Sequence, residues 1–263
     1  MSFAGRVVER SRSFLPAALA FLLGLAAWEL TVAVFRIERF LLPKPSVIAR
    51  TFVAESGVIW PAGWFTFKEA LGGFVIGSAL AVVGALATAR WRPLRDGLLP
   101  FAVAANSTPI IALAPITNQW FGITNPLAKM TVVAVIVFFP VMMNMVRGLV
   151  QVEPAALELM RSYGAGDLSV LRRVRLPNSL PYLFSALKVA SALAVIGAIV
   201  AEYFGGSRQA LGVYISQQAA LFHFAEAWAA IIVGSVMGIG FYSVIMLAER
   251  LVMPWHPSLR AGS

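Results

Sequence analysis

Long apolar runs alternate with short polar ones along the whole chain. Six stretches carry almost no charge over a length suited to a bilayer: residues 14–35, 71–89, 97–126, 130–146, 182–204 and 227–248. About 20 apolar residues in a helix match a hydrocarbon core of about 30 Å. The pattern therefore predicts an all-α, polytopic membrane helical bundle with six spans and both termini on one side.

The individual runs differ in detail. Arg6, Arg10 and Arg12 precede the first, as in a signal peptide, but the run is too long and lacks a small-residue cleavage site, so it reads as a retained span. Glu29 within it is expected near the outer end or packed against other helices. Residues 36–65, with Pro43 and Pro45, read as a polar, proline-punctuated connection. The second run carries Gly72, Gly73, Gly77 and Gly84, which let helices approach closely, and ends in Arg90, Arg92 and Arg95. In the third, Asn106, Ser107 and Thr108 precede Pro109. Polar groups at that depth either line a solute pathway or hydrogen-bond one helix to another. Pro140 predicts a kink in the fourth run, where Met142, Met143 and Asn144 form either a gate or ordinary packing. Lys188 in the fifth is placed to snorkel to the interface. Residues 207–226 read as an amphipathic connection that forms a short surface helix.

One polar stretch, residues 153–181, stands out against these runs. Glu153 and Pro154 start a helix expected over 154–163, with Pro at the first helical position where its missing N–H does no harm. Ala156, Leu159, Met160 and Tyr163 recur at helical spacing as one apolar stripe, and Glu158, Arg161 and Ser162 keep the other side polar. Gly164 should end this helix in the left-handed conformation. A second short helix is expected from Asp167, with Leu168, Leu171 and Val174 opposite Arg172, Arg173 and Arg175. Pro177 and Pro181 should punctuate the return to the membrane.

Composition narrows the function. With 59% apolar residues, 13% charged residues and a mean hydropathy of +0.81 over 263 residues, the chain is too apolar for a soluble domain of this length. There is no cysteine, so there is no disulfide and no thiolate metal site; His223 and His256 are too isolated to predict a metal centre. The net charge of +9 sits at the ends of apolar runs, a pattern of membrane orientation and not of nucleic-acid binding. No phosphate-cradling Gly-x-x-x-x-Gly-Lys motif and no converging Ser/His/Asp set occurs, so no catalytic residue and no enzymatic activity are expected. Thirteen Lys and Arg fall in the segments expected on the cytoplasmic side (6, 10, 12, 90, 92, 95, 147, 161, 172, 173, 175, 250 and 260). Seven fall outside (36, 39, 44, 50, 68, 129 and 208), which favours cytoplasmic termini.

The polar stretch resembles the cytoplasmic "EAA" loop of permease subunits of bacterial ATP-binding-cassette importers. The matching residues are Glu158, Gly164 with Ala165, Val174, Leu176 and Pro177; Leu159 and Met160 replace two alanines of the motif. Leu42-Pro43-Lys44-Pro45-Ser46 is similar to the pattern after the first helix in the nitrate, sulfonate and taurine branch. The resemblance spans roughly residues 40–250 and implies a type I importer permease (MetI-like) fold in the bacterial cytoplasmic (inner) membrane.

It also implies partners: two ATPase subunits that hold ATP and Mg while this chain binds no cofactor, a periplasmic or lipid-anchored solute-binding protein, a second permease copy in a homodimer, and membrane lipids. Ala156, Leu157, Glu158, Met160, Arg161, Tyr163, Gly164 and Ala165 would couple to the ATPase. Asn106, Ser107, Thr108, Met143, Asn144 and Glu202 are the candidates for the translocation pathway, Glu202 as a structural or gating position facing outside. The segments are then a cytoplasmic start at 1–13, a first span with its external connection at 14–65, a permease core at 66–250 and a cytoplasmic tail at 251–263. The solute would be a small oxyanion, sulfonate or taurine-like anion, or a vitamin or pyrimidine precursor. A gradient-driven transporter would need paired ionisable groups mid-membrane, and a membrane scaffold would use the loop only for recruitment.

Overall fold

The computed structural model describes residues 3–91, 97 and 110–254. Five helices among the described residues are long and apolar enough to cross a membrane: Leu15–Val34, Ser56–Ala89, Pro126–Val150, Asp167–Tyr203 and Phe224–Val252. They correspond to five of the six expected spans. Most of the remaining one, with Asn106, Ser107 and Thr108, lies outside the described residues. Its described part is a 3-10 turn at Ile110–Leu113 followed by a short helix, Ala114–Phe121, that ends at Gly122.

In chain order the helices are α1 (Phe3–Val34), α2 (Pro45–Ala54), α3 (Ser56–Arg90), α4 (Ala114–Phe121), α5 (Pro126–Val150), α6 (Pro154–Ser162), α7 (Asp167–Tyr203), α8 (Leu211–Ala220) and α9 (Phe224–Val252). Two expectations need correction. Residues 36–65 are not one irregular connection, because α2 and the first turns of α3 lie inside it. Pro45 occupies the first helical position after an extended Lys44, so a proline read as punctuating the connection opens a helix within it. Likewise Pro177 and Pro181 do not separate a loop helix from a span. Asp167–Tyr203 is continuous, and the turn before Pro177 widens to π geometry over Leu171–Arg175, with Leu176 N–H bonded to Leu171 C=O. Proline cannot donate to the carbonyl four residues back and its ring crowds that carbonyl, so a wider turn lets the helix run on.

The chain divides into two compact units. The first comprises the residues up to Ile59 with Ile215–Ile231. Within it Glu29 accepts from the backbone N–H and hydroxyl of Ser46, at 3.0 and 2.8 Å. A carboxylate thus covers the N-terminus of α2, where unpaired N–H groups and the helix dipole favour negative charge. Trp28 and Trp228 meet edge-to-face at 5.3 Å between ring centres. Leu15, Leu19, Phe21, Leu22 and Leu23 of α1 are exposed, as suits a surface against lipid.

The second unit comprises Trp60–Tyr214 with the residues from Ile232 on. Its core is the pair α5 and α7, with Ala70, Phe74, Ala81 and Ala85 of α3 and Phe241 of α9 packed against them. Ala186, Ala190, Ala194 and Ala198 recur every fourth residue on α7 and are all buried, a narrow ridge that lets its neighbour approach closely. The glycines of α3 serve the same end, as the sequence predicts. A Cβ at Gly77 would run into the backbone of Ala134, and one at Gly73 would lie 2.6 Å from the carbonyl oxygen of Met130.

Candidate functional site

The expected coupling loop is built as a stiff projection on a pinned base. Asn178, in the first turns of the apolar part of α7, donates to the carbonyls of Gly148 and Gln151 at 2.7 and 2.9 Å. Those carbonyls belong to the end of α5, which has no helical donor for them. Gly148 sits against Ser179 with no room for a side chain, so the two helices meet directly below the loop. From this base α6 starts at Pro154, with Glu153 before it at φ -58° and ψ 126°, outside the helical region.

Gly164 takes φ +67°, and two bonds close the end of α6: Ala165 N–H to Met160 C=O at 3.0 Å and Gly164 N–H to Arg161 C=O at 2.9 Å. This is a Schellman motif, which requires the left-handed conformation that glycine adopts without a Cβ clash. Asp167 then opens α7 three residues later, so the turn sets the angle between the two helices.

No residue of α6 is fully buried. Ala156, Leu157 and Met160 are half-buried, whereas Glu158, Leu159, Arg161 and Tyr163 are exposed. The single apolar stripe expected from the sequence is therefore split. Its inner part rests on the protein, and Leu159 and Tyr163, 56% and 78% exposed, form a second apolar flank turned outward. Leu168, across the Gly164 turn, is 59% exposed as well.

The pathway candidates are dispersed. Met143 packs against the main core, and Asn144 donates its amide to the carbonyl of Pro140 at 2.8 Å. Glu202 is buried at 1% exposure among polar partners that sequence reasoning did not assemble. Thr66 donates to Glu202 Oε1 at 2.7 Å, Gly212 N–H donates to Oε2 at 2.6 Å, and Leu211 N–H donates to Thr66 Oγ1 at 2.9 Å. Glu69 and Lys129 stand beside the same carboxylate, both buried. Lys129 Nζ donates to Asn118 Oδ1 at 2.9 Å and to the carbonyl of Ile123, while Asn118 Nδ2 reaches the carbonyl of Phe204 at 3.1 Å. Lys129 is thus no loop charge, as the orientation count takes it to be, but an internal one. Thr66 and Glu69 were missed because they lie at the seam between the expected connection and the expected span; their spacing of three on one helix was the available signal.

A second internal pair joins α7 to α9. Lys188 Nζ lies 2.7 Å from Glu249 Oε2, with Glu249 6% exposed. Lys188 does not snorkel, because its partner is within reach inside the protein.

Residues 73–255, which hold the loop, the α5–α7 core and both polar groups but for Thr66 and Glu69, match the family described as "Binding-protein-dependent transport system inner membrane component". The chain belongs to that family. It is similar to the riboflavin transport system permease protein RibX of Chloroflexus aurantiacus, 31% identical over 93% of this chain and 90% of that one. It is similar also to the formylaminopyrimidine transport permease protein ThiX of Halalkalibacterium halodurans, 30% identical over 95% and 99% of the two chains. The putative aliphatic sulfonates transport permease protein SsuC of Escherichia coli is 29% identical over 89% of each. The crystal structure of an amino acid ABC transporter with histidines covers 75% of this chain and 95% of its own, with a TM-score of 0.61 at 19% identity, and shows the shared fold. The protein is an all-helical, multi-pass membrane permease of the ATP-binding-cassette transporter class.

Proposed function

We propose that this permease is the transmembrane subunit of an ATP-driven, binding-protein-dependent importer, and that α6 is the element through which it is driven. The observation that carries the reading is the exposed helix Pro154–Ser162, pinned at its base, ended by a Schellman turn and carrying an outward apolar flank. Its geometry suits insertion into a cleft on a partner. Glu158 is exposed and placed for a charge-assisted contact with a basic group there, and Leu159 and Tyr163 supply the apolar contact. Two ATPase subunits that close on ATP and Mg would carry α6 with them. Because Asp167–Tyr203 runs as one helix, displacement at the loop would be passed along it toward the far end of the membrane core.

In this reading two copies of the chain form the pathway in the cytoplasmic membrane with both termini cytoplasmic, and an external binding protein delivers the solute. Asn106, Ser107, Thr108, Met143 and Asn144 remain the pathway candidates. The solute is proposed from the class its relatives' names describe: a small heterocycle such as a flavin or pyrimidine precursor, or a small sulfonate. Pairs of internal ionisable groups are what a gradient-driven transporter needs, and both clusters have them. Their hydrogen bonds to helix ends and to one another favour a structural use over ion coupling.

The test is reconstitution of the permease with its ATPase and binding protein, followed by solute-stimulated ATP hydrolysis. Gly164→Val forces a β-branched residue into the left-handed region, at a cost of about 1–2 kcal/mol, and tilts the loop. The expected result is that Gly164→Val and Glu158→Ala each reduce stimulation at least about tenfold while membrane levels stay unchanged, a barrier change of about 1.4 kcal/mol. Full stimulation in both variants would remove α6 from the coupling role.

A further inference from the structure

Helix α8 cannot cap itself. Its first intrahelical bond runs from Tyr214 N–H to Ala210 C=O, which makes Ala210 the capping position, and alanine has no side chain that accepts from the free N–H groups of the first turn. Those donors are satisfied from elsewhere in the fold: Leu211 N–H by Thr66 of α3, and Gly212 N–H by Glu202 at the end of α7. The fit is close. A Cβ at Gly212 would meet Glu202 Oε2 at 2.7 Å and the carbonyl of Ile199, so only glycine lets the turn approach. Gly205, between α7 and α8, has φ +117° and folds the chain back so that this contact forms within ten residues. Lys129, through Asn118, holds the carbonyl of Phe204 in the same connection.

From these contacts we infer that Thr66 and Glu202 are positioning residues of the transport cycle: they cap α8 from outside and tie its first turn to the end of the helix that begins at the coupling loop. A buried carboxylate at this depth is costly unless fully bonded, and here its bonds are spent on the start of another helix. About 50 Å of helix, with one π turn at Leu171–Arg175, separates Asp167 from Tyr203. Movement of α7 driven at the loop therefore acts directly on Glu202 and through it on the first turn of α8. Glu202 is then no solute ligand but the joint between driven helix and outer segment. The transport half of this inference rests on the importer reading; the capping half does not.

The two halves are tested separately with Thr66→Val, Thr66→Ser and Glu202→Gln. First, hydrogen exchange is followed on the purified wild-type and variant permease in lipid nanodiscs, without ATPase. The expected result is at least tenfold faster exchange at 211–214 in Thr66→Val and Glu202→Gln, wild-type exchange in Thr66→Ser, and no change at 132–149 and 184–198. Unchanged exchange at 211–214 would overturn the cap, and faster exchange throughout would make the cluster a general structural feature and overturn it equally. Second, solute taken up per ATP hydrolysed is measured in the reconstituted complex. It should fall at least tenfold in Thr66→Val and Glu202→Gln and return in Thr66→Ser. A local loss of protection with uptake per ATP unchanged would overturn the positioning role. Absence of ATP-driven uptake in the wild type would instead overturn the importer reading and the transport half with it, leaving the cap to be decided by exchange alone.

Discussion

Lys188→Met destabilises the permease by about 3–5 kcal/mol, and Lys188→Met combined with Glu249→Met restores most of that loss. The expectation follows from the 2.7 Å pair between α7 and α9, in which Glu249 is 6% exposed. Methionine matches the length of the lysine stem, so the single variant leaves packing nearly intact but strands a buried carboxylate without its cation. Removing both charges leaves two apolar side chains of fitting size, an exchange that buried ion pairs tolerate. Thermal unfolding of Lys188→Met, Glu249→Met and the double variant in nanodiscs gives the coupling directly. Equal midpoints for Lys188→Met and the wild type would show that the pair contributes nothing to the fold.

Tyr163→Ala weakens ATPase association about thirtyfold or more, the loss of about 2 kcal/mol typical of an aromatic anchor. Tyr163 is 78% exposed on the flank it shares with Leu159, beside the Gly164 turn that fixes its direction. In the permease alone it packs against little, so its truncation should leave stability unchanged and act on binding only. Ile239→Ala on α9, 68% exposed, is the control for general loss of apolar surface. Affinity of purified ATPase for the permease in nanodiscs measures both. Equal affinities for the two variants would place the docking surface elsewhere.

How far the chain could be read in advance depended on whether the decisive contact was local. The Gly164 turn, the Pro154 start and the apolar stretches of five spans rest on neighbours within a few residues and lie where the sequence pattern puts them, although α3 and α7 begin about 15 residues before their apolar runs. Proline was harder. Pro45 and Pro177 carry the same constraint, yet one begins a helix and the other lies within one, because the outcome depends on the turn preceding it. Spans that are apolar all round give no periodicity to reveal their inner face. Lys129 therefore reads like any basic residue near a span end, and only the fold brings Asn118 and Ile123 to it. On α6 the spacing gives the angular order correctly but not which flank the protein itself covers. Leu159 and Tyr163 face outward, on the flank where the proposed reading seats the ATPase.

In the proposed reading α6 meets an ATPase on the cytoplasmic side. The chain has no cysteine, so a single Glu158→Cys provides a unique point of attachment for a photoreactive cross-linker in native membranes. Identification of the adduct by mass spectrometry should return an ATP-binding-cassette ATPase from position 158, and none from an Arg208→Cys control on the connection before α8. An adduct with no ATPase at position 158, or labelling of position 158 by an impermeant reagent from outside, would rule out α6 as the ATPase-docking element.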